Sequence, residues 1–196
     1  MERWAPQKKD TMEALANEIL HNYAHGRVIV GVDGRSGSGA AGFADDLAVA
    51  LKETGHQAFR ASLDGFRHPR ERRARGLFSD GFDYSLFRRV LVDPFRTAGS
   101  TGFVLAGFDA ERDEPVFQPK WQSAGHDAIL IVDGVFLHRP ELRGIWNYSA
   151  WVETPAATGD EADAAYIAAE TPSVLATAIY DNTDPEHPRR IFADSC

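Results

Sequence analysis

Apolar positions recur along the chain in two alternating rhythms. Over residues 10–25, DTMEALANEILHNYAH sets Met12, Leu15, Ile19 and Leu20 at the spacing of one helical face, and Gly26 follows as a stop. RVIVGVD is a short β-branched run suited to a strand buried on both faces, and GRSGSG after it is a glycine-rich turn. AAGFADDLAVALKETG returns to helical spacing through Phe43, Leu47, Ala50 and Leu51 and stops at Gly55. The unit is strand, glycine loop, helix. HQAFRASLD predicts a second strand ending near Asp64, DAILIVDG a third ending at Asp133, YSAWVET a fourth and VLATAIYDN a fifth. Helical patterns separate several of them, so the expected class is α/β with a five-stranded, mainly parallel, doubly wound sheet flanked by helices. Between the second and third strands, FDYSLFRRVLVDPF predicts a helix, and GFVLAGFD with EPVFQPKW a hairpin. The alanine-rich residues 156–171 predict a mildly amphipathic helix.

Length narrows this to one domain, because 196 residues hold a single substantial core and little more. Within it, residues 1–26 are expected as an N-terminal helix, 66–120 as an insertion between strands, and 156–173 as a segment following the fourth strand. A formal net charge of −8 argues against general nucleic-acid binding, which needs clustered Lys and Arg. No apolar run has membrane-spanning length and the start MERWAPQKKD lacks a signal-peptide layout, so no membrane partner and a cytoplasmic setting are expected. The single Cys196 rules out an internal disulfide and a cysteine-based metal site. Charge is unevenly placed: RHPRERRAR at 67–75 holds five arginines and one glutamate, whereas 144–188 contains no Lys or Arg.

The glycine turn matches the spacing of a phosphate-binding loop, Gly-x-x-x-x-Gly-Lys-Ser/Thr, through Gly34 and Gly39 with Gly37 between them. Successive N–H groups of such a loop, with the positive end of the helix behind it, hold phosphate without side chains. Gly34, Arg35, Ser36, Gly37, Ser38, Gly39, Ala40 and Ala41 are therefore candidate nucleotide contacts. Ala40 and Ala41 stand where the lysine and the Mg²⁺-binding hydroxyl belong, and that loss falls on catalysis. The plainer reading is a glycine turn that opens a helix and binds nothing. Asp64 ends a strand on the side where such sheets meet their ligands, placed to orient or deprotonate a hydroxyl, or else serving as a turn aspartate before Gly65. Asp133 in LIVDG is a candidate Mg²⁺ partner, or a strand-terminal Asp-Gly turn. The arginines of 67–75 suit an anionic substrate, or form a solvated face.

These motifs in their order resemble the uridine kinase and phosphoribulokinase branch of the P-loop kinases over nearly the whole chain. The resemblance is carried by GVDGRSGSG (31–39), SLDGFRHPRERRARG (62–76), GFDYSLFRRVLVDPF (81–95), FDAERDEPV (108–116), AILIVDGVFLHRPELR (128–143) and DNTDPEHPR (181–189). It implies a nucleoside-kinase-like P-loop fold, ATP as phosphoryl donor, Mg²⁺ as cofactor and a nucleoside or similar small hydroxyl-bearing acceptor, with a homo-oligomer open. It makes Asp64 the catalytic base, Asp133 the residue near Mg²⁺, Arg70 and Asp83 acceptor contacts, and Asn182 and Thr183 contacts near the adenine. The family's lid carries arginine after the fourth strand, and TPAATGDEADAAYIAAETPSV carries none. Together with Ala40 and Ala41, this predicts ATP-dependent transfer to a hydroxyl that is weak or lost. The alternative is a non-catalytic nucleotide- or metabolite-binding module.

Overall fold

A computed structural model of the chain describes residues 6–97, 101–155 and 159–192. Six strands form the central sheet: β1 (Val28–Gly34), β2 (Ala58–Ser62), β3 (Ile129–Gly134), β4 (Tyr148–Glu153), β5 (Ala178–Asp181) and β6 (Arg189–Ile191). Their order across the sheet is β6-β5-β4-β1-β3-β2, and every pair is parallel except β6 on β5. The expected five strands are present, and the count is corrected by a sixth. RRI at 189–191 has no apolar rhythm to announce it; it is fixed by register against β5, with Arg189 paired to Asp181 at 2.8 Å.

Alternation along β1 divides the core in two, since successive side chains of a strand point to opposite faces. Val28, Val30 and Val32 pack under helices α1 (Lys8–Asn22) and α2 (Ala40–Glu53), whose Leu15, Ile19, Phe43 and Leu47 complete that layer. On the other face Ile29, Leu130, Val132 and Trp151 meet an aromatic group that includes Phe66, Phe87, Phe136 and Tyr166. Tyr166 comes from helix α3 (Glu161–Glu170).

The insertion is helical from Tyr84 to Arg96, with a π-helical turn over Arg88–Val92 that keeps Phe87, Leu91, Val92 and Phe95 buried. The expected hairpin is two nested antiparallel pairs, Phe103–Val104 with Trp121–Gln122 and, inside it, Phe108–Asp109 with Glu114–Pro115. The fifth strand begins later than its apolar run, because Pro172 at the first position of a short helix, Pro172–Leu175, claims the residues before it. Residues 156–158 of the expected lid and Cys196 lie outside the described residues. Among the described residues, no helix is long and apolar enough to cross a membrane.

Candidate functional site

β1 lies between β3 and β4, so the chain leaves it to one side and later returns on the other. A ligand crevice opens beyond the strand ends at such a switch point. The loop from Gly34 to Ala40 fills this place. Glycine is required at its two ends for different reasons. A Cβ at Gly34 would lie 2.3 Å from Ser38 Oγ, and Gly39, the N-cap of α2, has φ 81° with the Asn182 amide 2.6 Å from where a Cβ would sit. Because α2 starts at Ala40, the N–H groups of Ala40, Ala41 and Gly42 have no acceptor within the helix, and they carry its positive end. The loop is held from behind: Asn182 Nδ2 and Thr154 Oγ1 both donate to the Ser38 carbonyl, at 3.1 and 3.0 Å.

A cavity of about 360 Å³ opens over the loop, lined by residues 34–41 together with Ser62, Asp64, Arg67 and Asp133. Asp64 sits in the 3-10 turn that ends β2, half exposed, with Arg67 Nη2 2.8 Å from its Oδ1. Asp133 ends β3 and is 6% exposed. Arg60 Nη2 donates to its Oδ1 at 2.8 Å and Ser62 Oγ to its Oδ2 at 3.2 Å. Burial pushes the Asp133 carboxyl above its usual range, with the Arg60 guanidinium acting in the opposite direction.

No protein-family model and no curated protein matches the chain. Among solved structures, a candidate uridine kinase from Bacillus stearothermophilus superposes with a TM-score of 0.74 at 21% identity, covering 87% of this chain and 97% of that one. A candidate fructose transport system kinase from Silicibacter sp. TM1040 gives 0.58 at 26% identity, with coverages of 74% and 75%. The chain has the fold of the uridine kinase-like P-loop kinases.

Within that P-loop kinase fold, the described residues fit Mg²⁺ poorly. Both oxygens of Asp133 are already engaged, positions 40 and 41 offer methyl groups, and no cluster of three or more His, Cys, Asp or Glu among the described residues is arranged to hold a metal. Two contacts of the cavity walls had no place in the sequence reading. One is Arg60, an arginine in the middle of an otherwise apolar strand, whose need for a carboxylate was the available signal. The other is Asp163 of α3, buried, with both carboxylate oxygens accepting from the Ser36 N–H at 3.2–3.3 Å.

The remaining sequence candidates stand away from the cavity lining. Asn182 is buried and spends its amide on the loop's back, while the Thr183 hydroxyl and N–H both donate to Asp181 Oδ1. Asp83 caps the helix that follows it by accepting from the Leu86 N–H at 2.8 Å. Arg70 is exposed and its backbone N–H donates to Asp113. Of the basic run, Arg72 pairs with Asp80 and Arg73 with Asp113, and only Arg67 reaches the cavity wall.

Directly beneath the loop lies a buried polar group absent from the sequence reading. Asp33, fully buried, accepts from the Gly34 N–H at 2.9 Å and from the Tyr166 hydroxyl, and its Oδ2 is 2.7 Å from His138 Nδ1. His138 Nε2 is 3.1 Å from Ser149 Oγ. The order serine, histidine, aspartate is that of a nucleophile triad. It is not one here, because all three are buried and Ser149 Oγ also accepts from the Thr177 N–H. The group ties the end of β1 to β4, to the segment after β3 and to α3.

Proposed function

We propose that the chain is a P-loop kinase-fold protein that binds a phosphate-bearing small molecule, ATP by the inheritance of the fold. Its transfer of the γ-phosphoryl group to a hydroxyl of a nucleoside or similar acceptor is weak or lost. The observation that carries this reading is the convergence on one cavity of the glycine loop with the start of α2, Asp64 and Asp133, with methyl groups at Ala40 and Ala41. The backbone cradle binds; the charges that would act on a transferring phosphoryl group are missing. Loss of one such stabiliser costs roughly 10²–10³ in rate, so two place turnover several orders of magnitude below a kinase's. Asp64 is the carboxylate facing an acceptor hydroxyl in this reading, and a cytoplasmic setting goes with it. The second reading, a binding module without turnover, is favoured by the hold of Arg60 and Ser62 on both oxygens of Asp133.

Phosphoryl transfer from ATP, screened over nucleosides with the chain as it stands and with Ala40→Lys/Ala41→Thr, tests the reading. Turnover near about 1–100 s⁻¹ for the unaltered chain would overturn it. A rise of at least about 10² on restoring both side chains supports a site that lacks only its charges.

A further inference from the structure

The charge a divalent cation would bring beside Asp133 is already present as a guanidinium. Arg60 lies on β2 and its side chain is held from three elements: Nη2 on Asp133 Oδ1 of β3 at 2.8 Å, Nε on Asp45 Oδ1 of α2 at 2.8 Å, and Nη1 on the Ala61 and Ile131 carbonyls at 2.8 and 3.2 Å. The same Nη2 lies 3.4 Å from the carbonyl of Ala41, the residue at the position of the missing metal-binding hydroxyl. Ser62 Oγ occupies the other oxygen of Asp133. A metal, or its water, would have to share the carboxylate with these donors, and it would find no hydroxyl at 40 or 41 to complete its shell. An anionic ligand entering the cavity meets an Asp133 whose charge is already offset.

We propose that the site takes its phosphate-bearing ligand without a divalent cation, Arg60 supplying the positive charge on Asp133 that a metal would otherwise supply. The ligand class is a metal-free nucleotide or phosphomonoester, met also by Arg35 and Arg67 on the cavity wall. This inference rests on the reading of the cavity as a phosphate site.

Calorimetric titration of the full chain with tripolyphosphate and with ATP, each in EDTA and in excess Mg²⁺, tests it. The affinity in EDTA is expected to equal or exceed that in Mg²⁺, since the metal withdraws charge from the ligand and has no seat of its own. Strengthening by Mg²⁺ of about tenfold or more, the weight of one charge-assisted contact, would overturn the inference while leaving the phosphate site intact. Absence of binding by both probes in both buffers would remove the phosphate reading itself, and the inference with it. Arg60→Gln is expected to weaken binding in EDTA by about tenfold or more and to make it depend on Mg²⁺. Wild-type affinity for Arg60→Gln in EDTA would overturn the role given to Arg60. Should that variant fail to fold, Arg60→Lys keeps the charge: metal-independent binding is expected of it, and Mg²⁺-dependent binding counts against the proposal.

Discussion

Two sets of polar groups meet at the end of β1, one below the loop and one above it. Below, Asp33 is fully buried and has three partners from three parts of the fold, and His138 links it onward to Ser149. Above, the loop positions that would work on a phosphoryl group carry two methyls, Asp133 lines the cavity but is bonded to Arg60 and Ser62, and the Ser36 N–H is taken by Asp163. A buried carboxylate is tolerated only when its bonds are all made, so the lower group marks a shape that is strictly held. The upper group needs no such completeness. The contrast separates the buried scaffold that holds the loop from the charges that the proposed reading assigns to phosphoryl transfer, which positions 40 and 41 do not carry.

The contrast is broken most directly at His138. Its replacement by Ala removes one of the three partners of the buried Asp33, and urea denaturation should show a loss of about 1–3 kcal/mol. A loss below about 1 kcal/mol would mean that the lower group is no more demanding than the surface. On the upper side, Asp163→Asn takes a negative charge off the loop while leaving an oxygen to accept from Ser36. Affinity for tripolyphosphate should rise by about tenfold, because like charges brought together at a binding site oppose it; unchanged affinity would show that the carboxylate does not compete with the ligand. The smallest effect concerns pH. The Asp133 carboxyl is raised by burial, so its contribution to stability is present below the ordinary carboxylate pKa and is lost as pH rises through the raised value. The melting temperature of Asp133→Asn, measured against wild type, should therefore move in the variant's favour from acid toward neutral pH. A difference that stays flat would show that Arg60 fully cancels the burial.

Much of this was legible in the chain because it is local. The strand, glycine loop and helix around 28–53 are neighbours in sequence, and a carboxylate ending an apolar run, as in Asp64 and Asp133, predicts its own position at the sheet's edge. The distant contacts were not. Asp163 and Ser36 are 127 residues apart, and nothing in either segment says that α3 folds back over the loop. Asp33 and His138 are 105 apart, and His138 looks like one histidine among several until β1 and β3 are laid side by side. Asn182, which the resemblance puts near the adenine, instead spends its amide on the back of the loop, where it donates to the Ser38 carbonyl 144 residues away in sequence. The basic run reads equally as a clasp or as a solvated face because the partners of Arg72 and Arg73, Asp80 and Asp113, come later in the sequence.

A cradle made of main-chain N–H groups cannot be erased by ordinary substitution, since only proline removes a peptide donor. In the proposed reading, catalysis and recognition are thus separated by unequal mutational distances. In that reading the transfer step depends on side chains, at positions 40 and 41 and in the arginine-free segment after β4, each open to single exchanges. Losing recognition means refolding the turn, through Gly34 or Gly39 where a side chain has no room. If the cavity is the phosphate site proposed above, its grip on phosphate is therefore harder to lose by single substitutions than its turnover.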